Sequence, residues 1–240
     1  MSATIDLLKA HTSVRSYTDE PVSEAERKAI FAAARQASTS CGLQITSVIR
    51  VSDPEKRRLL AEYAGNQQHV ITAPEFWIFC ADYHRDRLLC PDADLGWTEQ
   101  FLVGCLDTGI MAQSTMASLE SLGLGGVFVG GLRNNIEKVG ELLQLPEDTI
   151  PLLGLAFGHP AVRNELKPRL PAEITFMEEV YRAPDPELLA AYNDEMRGYY
   201  GSRSSASKDT DWVATLKPVL LKERRPFILD YIRKMGFAKR

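Results

Sequence analysis

Cysteine is scarce in this chain and unpatterned. Cys41, Cys80, Cys90 and Cys105 are the only 4 in 240 residues, with no CxxC pair and no framework spacing. That argues against a disulfide scaffold and a thiolate zinc site, and reduced thiols in the cytosol are the expectation. The 4 histidines, at 11, 69, 84 and 159, show no metal-ligand spacing, and HExxH is missing, so no metal is expected. Positive charge is not in excess: Lys plus Arg total 28 against 32 Asp plus Glu, a formal net charge of −4. A nucleic-acid partner is therefore not expected, and any anion site must be local. Long apolar runs are missing too. The longest uncharged one, residues 149–162, is too short and too rich in Pro and Gly to span a bilayer. Residues 1–15 carry Asp6 inside their apolar patch and lack the core of a signal peptide. A cytoplasmic protein with no membrane association is expected. There is no GxGxxG dinucleotide fingerprint, no GxxxxGK[ST] phosphate loop and no GxSxG nucleophile elbow.

What is present is an ordinary globular composition, 45% hydrophobic, enough for a substantial core. Ser23 followed by Glu26 is a capping-box pattern opening a helix expected to end near residue 38, with apolar spacing at Ala29, Ile30, Ala33 and Ala37. Residues 47–51 read as a strand, Asp53 caps a helix over 54–64, and 75–83 read as a second strand. Over 97–122 the pattern is helical, and apolar residues cover most of the circumference, predicting a buried central helix. GGVFVGG reads as a short buried strand, Asn135 as the cap of the next helix, and PLLGLAFGHP as a further strand. The order of helices and strands predicts an α/β or α+β sandwich. After Lys167 strand patterns cease, and helical stretches flank the serine-rich GSRSSASKDTDW. We expect a single domain over 1–240, with an arm over about 167–240 that wraps the domain or a partner subunit.

Three short stretches carry chemistry. In HTSVR, His11, Ser13 and Arg15 alternate at the spacing that places all three on one side of an extended segment, a donor set suited to phosphate. The same residues also suit an ordinary surface after a short helix. In VFVGGLRNN, Gly130 and Gly131 end a strand where backbone can approach a planar or phosphorylated ligand closely, with Arg133 following. They equally suit a turn that leads into a helix. In LKPRLP, Pro168 and Pro171 keep Lys167 and Leu170 from helical geometry, so Lys167 and Arg169 project together as an anion clamp or, alternatively, as a solvated basic turn. Cys41, beside Gly42, reads as an incidental or structural thiol rather than a reactive one.

HTSVR, STSCGLQ, GNQQHV, GLGGVFVGGLRNNIE, LKPRLP and RPFILDYI occur in that order along the whole chain. Together they resemble the oxygen-insensitive NADPH nitroreductases and NADPH–flavin reductases of the group A branch of the nitroreductase superfamily. The resemblance implies an α+β sandwich around a mostly antiparallel sheet flanked by helices. It also implies an intertwined homodimer whose extended C-terminal arm wraps the partner subunit, with FMN bound at each interface. By the same resemblance His11, Ser13, Lys167 and Arg169 hold the FMN phosphate, with Thr12, Val14 and Pro168 in the binding segments. Arg15 lies against the pyrimidine side or the ribityl chain, Gln67 reaches the polar edge of the flavin, and Phe128, Val129, Gly130 and Gly131 approach near N5. Ser38, Thr39, Ser40 and Cys41 contact FMN from the neighbouring subunit. No side chain is implied as a general acid.

Two departures from the family pattern stand out. Cys41 and Gly42 replace serine and phenylalanine, which removes an aromatic wall and predicts a more open substrate pocket at Gly42. Arg203 matches a residue that recognises the NADPH 2′-phosphate, while Lys208 replaces a second arginine, predicting retained but weaker discrimination. The function implied is two-electron ping-pong hydride transfer from NADPH, through FMN, to nitroaromatics, quinones and flavins. The alternatives are a reductase that supplies free reduced FMN to a partner, and a flavin-binding module without turnover.

Overall fold

The computed structural model describes residues 2–203 and 207–240, so the middle of the serine-rich stretch, 204–206, lies outside the described residues. In chain order the helices are α1 (Ala3–Lys9), α2 (Glu24–Ala34), α3 (Pro54–Tyr63), α4 (His69–Thr72), α5 (His84–Leu89), α6 (Thr98–Ser121) and α7 (Ile136–Leu142), followed by α8 (Ala172–Thr175), α9 (Pro186–Ser202), α10 (Trp212–Leu220) and α11 (Ile228–Lys234). The strands are β1 (Thr46–Arg50), β2 (Glu75–Asp82), β3 (Gly125–Val129) and β4 (Thr149–Gly158). Short 3-10 turns occupy Ser40–Gly42 and Gly130–Asn135.

The strands form one 4-stranded sheet in the order β1-β2-β4-β3, every pairing antiparallel. All of β2 is buried, because both faces of the sheet are covered. Phe76, Ile78 and Cys80 point to one face and pack with Leu60, Ala61, Val70 and Val139 from α3, α4 and α7. Trp77 and Phe79 point to the other, against Ile30 and Ala34 of α2 and Met111, Met116 and Leu119 of α6. The two-residue period of the strand thus places one continuous apolar run into two cores. The expected sandwich is present as an α+β fold.

The described residues group into two compact units. One runs to Asn164 and resumes over Arg225–Arg240, holding the whole sheet; the other is Glu165–Arg224. In the second, Tyr192, Met196 and Tyr200 of α9 make a small core with Leu170 and Trp212, where Tyr192 and Trp212 meet edge to face at 5.1 Å.

The Ser23 capping box forms as expected: Glu26 N–H donates to Ser23 Oγ at 3.2 Å, and Ser23 N–H to Glu26 Oε2 at 2.7 Å. Asp53 caps α3 through Lys56 N–H at 2.7 Å. Three expectations need correction. α2 ends at Ala34, short of residue 38, because the chain turns there towards the 38–42 loop. Asn135 does not cap α7 with its side chain; its carboxamide donates instead to the Tyr63 carbonyl at 3.0 Å. Helix α6 is not buried all round either. Gly104, Asp107, Thr108, Met111, Ala112, Thr115, Met116 and Leu119 are covered, while Leu102, Leu106 and Ile110 remain 50%, 64% and 45% exposed. One side of α6 packs on the sheet, and this stripe at four-residue spacing has no cover among the described residues.

Candidate active site

The HTSVR segment follows α1 and runs along the end of the sheet. Val14 N–H donates to Gly126 O of β3 at 3.0 Å, Thr18 N–H to His159 O at 2.9 Å, and Ala161 N–H to Ser16 O at 3.0 Å. Asn164 Nδ2 closes the far end on Ser13 O at 2.7 Å. Val14 is buried, Thr12 and Ser13 are half-buried and Arg15 is exposed, so the backbone pairing turns the apolar residue inward and leaves the donors outward. Tyr17 locks the segment from beneath, its hydroxyl donating to Val14 O at 2.7 Å and Ala156 O at 2.9 Å. Burial raises the Tyr17 pKa, which keeps it a neutral donor.

His11 has a partner that the sequence did not announce. Its Nδ1 lies 2.6 Å from Oε1 of Glu120 on α6. A carboxylate only accepts, so the ring proton sits on Nδ1. Arg15 lies close enough to His69 to act on its titration: the His69 pKa is lowered by burial first and by Arg15 second. His69 Nε2 is buried without a hydrogen-bond partner. Gln67, two residues earlier, donates from Nε2 to Ala64 O at 3.1 Å and lies directly against Gly131. A Cβ at Gly131 would stand 2.4 Å from that nitrogen and 2.5 Å from Ala64 O. The expected glycine pair therefore serves close approach, first of all to a polar side chain of the protein itself. Gly130 sits against the Arg133 guanidinium, which donates to Leu152 O, so Arg133 is spent on backbone. Phe128 is 37% exposed beside a fully buried Val129.

The 38–42 loop is anchored on another part of α6. Ser40 N–H donates to both oxygens of Asp107, at 3.0 and 3.2 Å. Asp107 and Glu120 lie on one helix, roughly 20 Å apart along its axis at 1.5 Å rise per residue. The loop carrying Ser38, Thr39, Ser40, Cys41 and Gly42 is thus held well away from the carboxylate that binds His11. Cys41 and Gly42 have φ of 49° and 71°, an exposed left-handed turn.

The Glu165–Arg224 unit carries the remaining cations. Lys167 Nζ stands 5.5 Å from the centre of the Tyr200 ring. The Arg169 guanidinium folds back on Lys167 O at 2.9 Å, and Tyr192 Oη donates to Pro168 O at 3.2 Å. Lys208 N–H donates to Tyr200 O at 3.0 Å, and Arg203 follows the last turn of α9 with Nε buried and without a partner. Tyr200 therefore touches both Lys167, through its ring, and Lys208, through its carbonyl.

Sequence reasoning missed Glu120, Asp107, Asn164 and Tyr200. Each acts on a residue distant in sequence, and no local spacing marks such a pair. His69 carried a weaker signal, its place in GNQQHV beside Gln67.

Gln67 packs against Gly131, Arg15 lies near His69, and His11 and Ser13 share the Arg15 segment, which gathers imidazole, guanidinium, hydroxyl and carboxamide groups from three stretches of the chain. That donor set fits a ligand with an anionic end and a planar, carbonyl-bearing one, as a flavin mononucleotide has. Among the described residues no group of three or more His, Cys, Asp or Glu side chains could hold a metal ion, and no helix is long and apolar enough to cross a membrane.

The fold is an antiparallel α+β sandwich flanked by helices. Comparison with known proteins narrows the class. Residues 8–159 match the model described as "Nitroreductase family", and residues 167–240 the one described as "Nitroreductase family, C-terminal domain". An oxygen-insensitive NADPH nitroreductase of Salmonella typhimurium is 50% identical over 240 residues, covering 100% of both chains. The crystal structure of nitroreductase A from Vibrio parahaemolyticus matches with a TM-score of 0.95 and 42% identity over 100% of both chains. The NADPH:FMN oxidoreductase of Vibrio harveyi, complexed with NAD+, matches at 0.94 and 41%, again over 100% of both. The chain belongs to the nitroreductase family and is an oxidoreductase enzyme of the NADPH nitroreductase and flavin oxidoreductase kind.

Proposed function

We propose that the chain is an FMN-dependent oxidoreductase that uses NADPH to reduce nitroaromatics, quinones and flavins in a two-electron, ping-pong cycle. It works as a homodimer in which residues 1–240 act as one functional domain and the 167–240 arm wraps the partner. When bound, FMN supplies the hydride-accepting and hydride-donating centre that no side chain of the chain provides.

The residues would divide the work as follows. His11 and Ser13 hold phosphate oxygens, and Lys167 and Arg169 add charge-assisted contacts to the same group. Thr12, Val14 and Pro168 set the backbone of those segments. Arg15 lies along the pyrimidine side, where a cation favours negative charge on the ring, and Gln67 meets the ring's polar edge. Gly130 and Gly131, with Phe128 and Val129, bring backbone to the reactive face. Arg203 and Lys208 recognise the NADPH 2′-phosphate.

The observation that carries the dimeric reading is the spacing along α6. The 38–41 loop is fixed at Asp107, roughly 20 Å from the Glu120 that holds His11, so it is poorly placed to serve the same site. It is free to serve the site of a second copy. The exposed Leu102, Leu106 and Ile110 stripe on the same helix supports such pairing.

The test is the visible absorption spectrum of the purified protein before and after anaerobic NADPH. A bound oxidised-flavin band that bleaches on one equivalent of NADPH is expected. A protein still colourless after reconstitution with FMN would overturn the proposal. Relative turnover on FMN and on nitrofurazone separates a nitroreductase from a reductase that supplies free reduced flavin.

A further inference from the structure

We infer that Glu120 is a positioning residue for His11, holding the imidazole so that its second nitrogen meets the flavin phosphate. The inference rests on the phosphate assignment proposed above. Glu120 lies near the end of α6, with its side chain only 9% exposed, and reaches across to a residue that follows α1. Its Oε1 takes the His11 Nδ1 at 2.6 Å. Its other oxygen, Oε2, is buried without a hydrogen-bond partner. A buried, half-satisfied carboxylate costs stability. The geometry gives that charge one use, which is to hold the His11 ring.

That use follows from hydrogen-bond chemistry. With Nδ1 committed to the carboxylate, the ring cannot flip freely, and Nε2 is the atom left for a ligand. Phosphate oxygens only accept, so Nε2 must carry a proton to meet them. A ring that donates from both nitrogens is an imidazolium, which takes its second proton from solvent when it starts neutral. Glu120 on one side and the phosphate dianion on the other then flank one cation. Removing the carboxylate charge leaves His11 loosely oriented and weakens its hold on phosphate, while contacts to the isoalloxazine ring are untouched.

Riboflavin shares that ring and lacks the phosphate, so it separates this role from simple helix anchoring. The experiment loads full-length protein with FMN or riboflavin and reads the flavin fluorescence released on serial dilution, for wild type, Glu120→Gln, Glu120→Ala, His11→Gln and the double variant. Wild type is expected to prefer FMN strongly. Both Glu120 variants are expected to weaken FMN about tenfold and leave riboflavin within about twofold, with little further loss in the Glu120→Gln/His11→Gln pair. Where Glu120→Ala fails to fold, Glu120→Gln, of the same shape, carries the test. The His11 ring 15N resonances give a second readout, with Nδ1 protonated in wild type and tautomers mixed in Glu120→Gln. Equal weakening of both flavins, an unchanged FMN affinity, or additive losses would overturn the inference. Wild type that holds riboflavin as tightly as FMN would overturn the underlying phosphate assignment, and the inference with it.

Discussion

Gly131 and Gln67 are packed so closely that a single methyl group at 131 would lie 2.4 Å from the Gln67 carboxamide nitrogen, with the Ala64 carbonyl at 2.5 Å behind it. The amide can swing away, but the carbonyl is backbone and cannot. Gly131→Ala is expected to cost ~2 kcal/mol of stability through overpacking. It should also displace Gln67 and release bound flavin. Thermal unfolding and flavin retention after gel filtration check both; an unchanged melting temperature would mean that the 64–67 turn yields freely.

Gly42 combines open space with a demanding backbone. Nothing lies within 4 Å of an added Cβ, yet its φ is +71°. Gly42→Phe is therefore limited by strain rather than by clash, at roughly 1–2 kcal/mol for a left-handed residue. The ring would restore an aromatic wall, and kcat/KM for a bulky quinone is expected to fall several-fold against that for nitrofurazone. An unchanged preference would remove Gly42 from the substrate pocket.

Arg203 sits at the end of α9 with Nε unpartnered, and Lys208 is tied by its backbone to Tyr200 O. Arg203→Ala should raise the KM for NADPH about tenfold or more while sparing kcat, the signature of lost binding. Lys208→Arg adds the planar fork that lysine lacks and should sharpen the NADPH over NADH ratio. Steady-state kinetics with both nucleotides decide the matter.

His69 makes stability depend on pH in a defined direction. Its folded pKa is lowered below 6.5, by burial and then by Arg15, so the native state resists protonation. The contribution is complete above the unfolded value near 6.5 and is lost as pH falls from there towards the lower folded value. Urea midpoints between pH 5.5 and 8 should fall on the acid side in wild type and fall less in His69→Gln. Parallel profiles would show that His69 is not the group responsible.

Leu106, 64% exposed at the centre of the α6 stripe, is expected to be an interface residue. Leu106→Asp should shift the protein towards monomer in sedimentation equilibrium and lower flavin retention, because the 38–41 loop then has no second copy to serve. Dimer and flavin both retained would place the interface elsewhere.

The sequence by itself determined the local elements. Ser23 with Glu26, Asp53 before Pro54, and the alternation in β2 each act within a few residues, where covalent geometry leaves few outcomes. It also marked the HTSVR, GNQQHV and VFVGG stretches through their unusual residue types. Tertiary structure alone decided their partners. Glu120 reaches His11 across 109 positions and Asp107 reaches Ser40 across 67, separations at which nothing in the spacing of residues records which helix face will arrive. The bare side of α6 was hidden for the same reason: an apolar residue that faces the sheet and one left exposed look alike in sequence, and only packing distinguishes them.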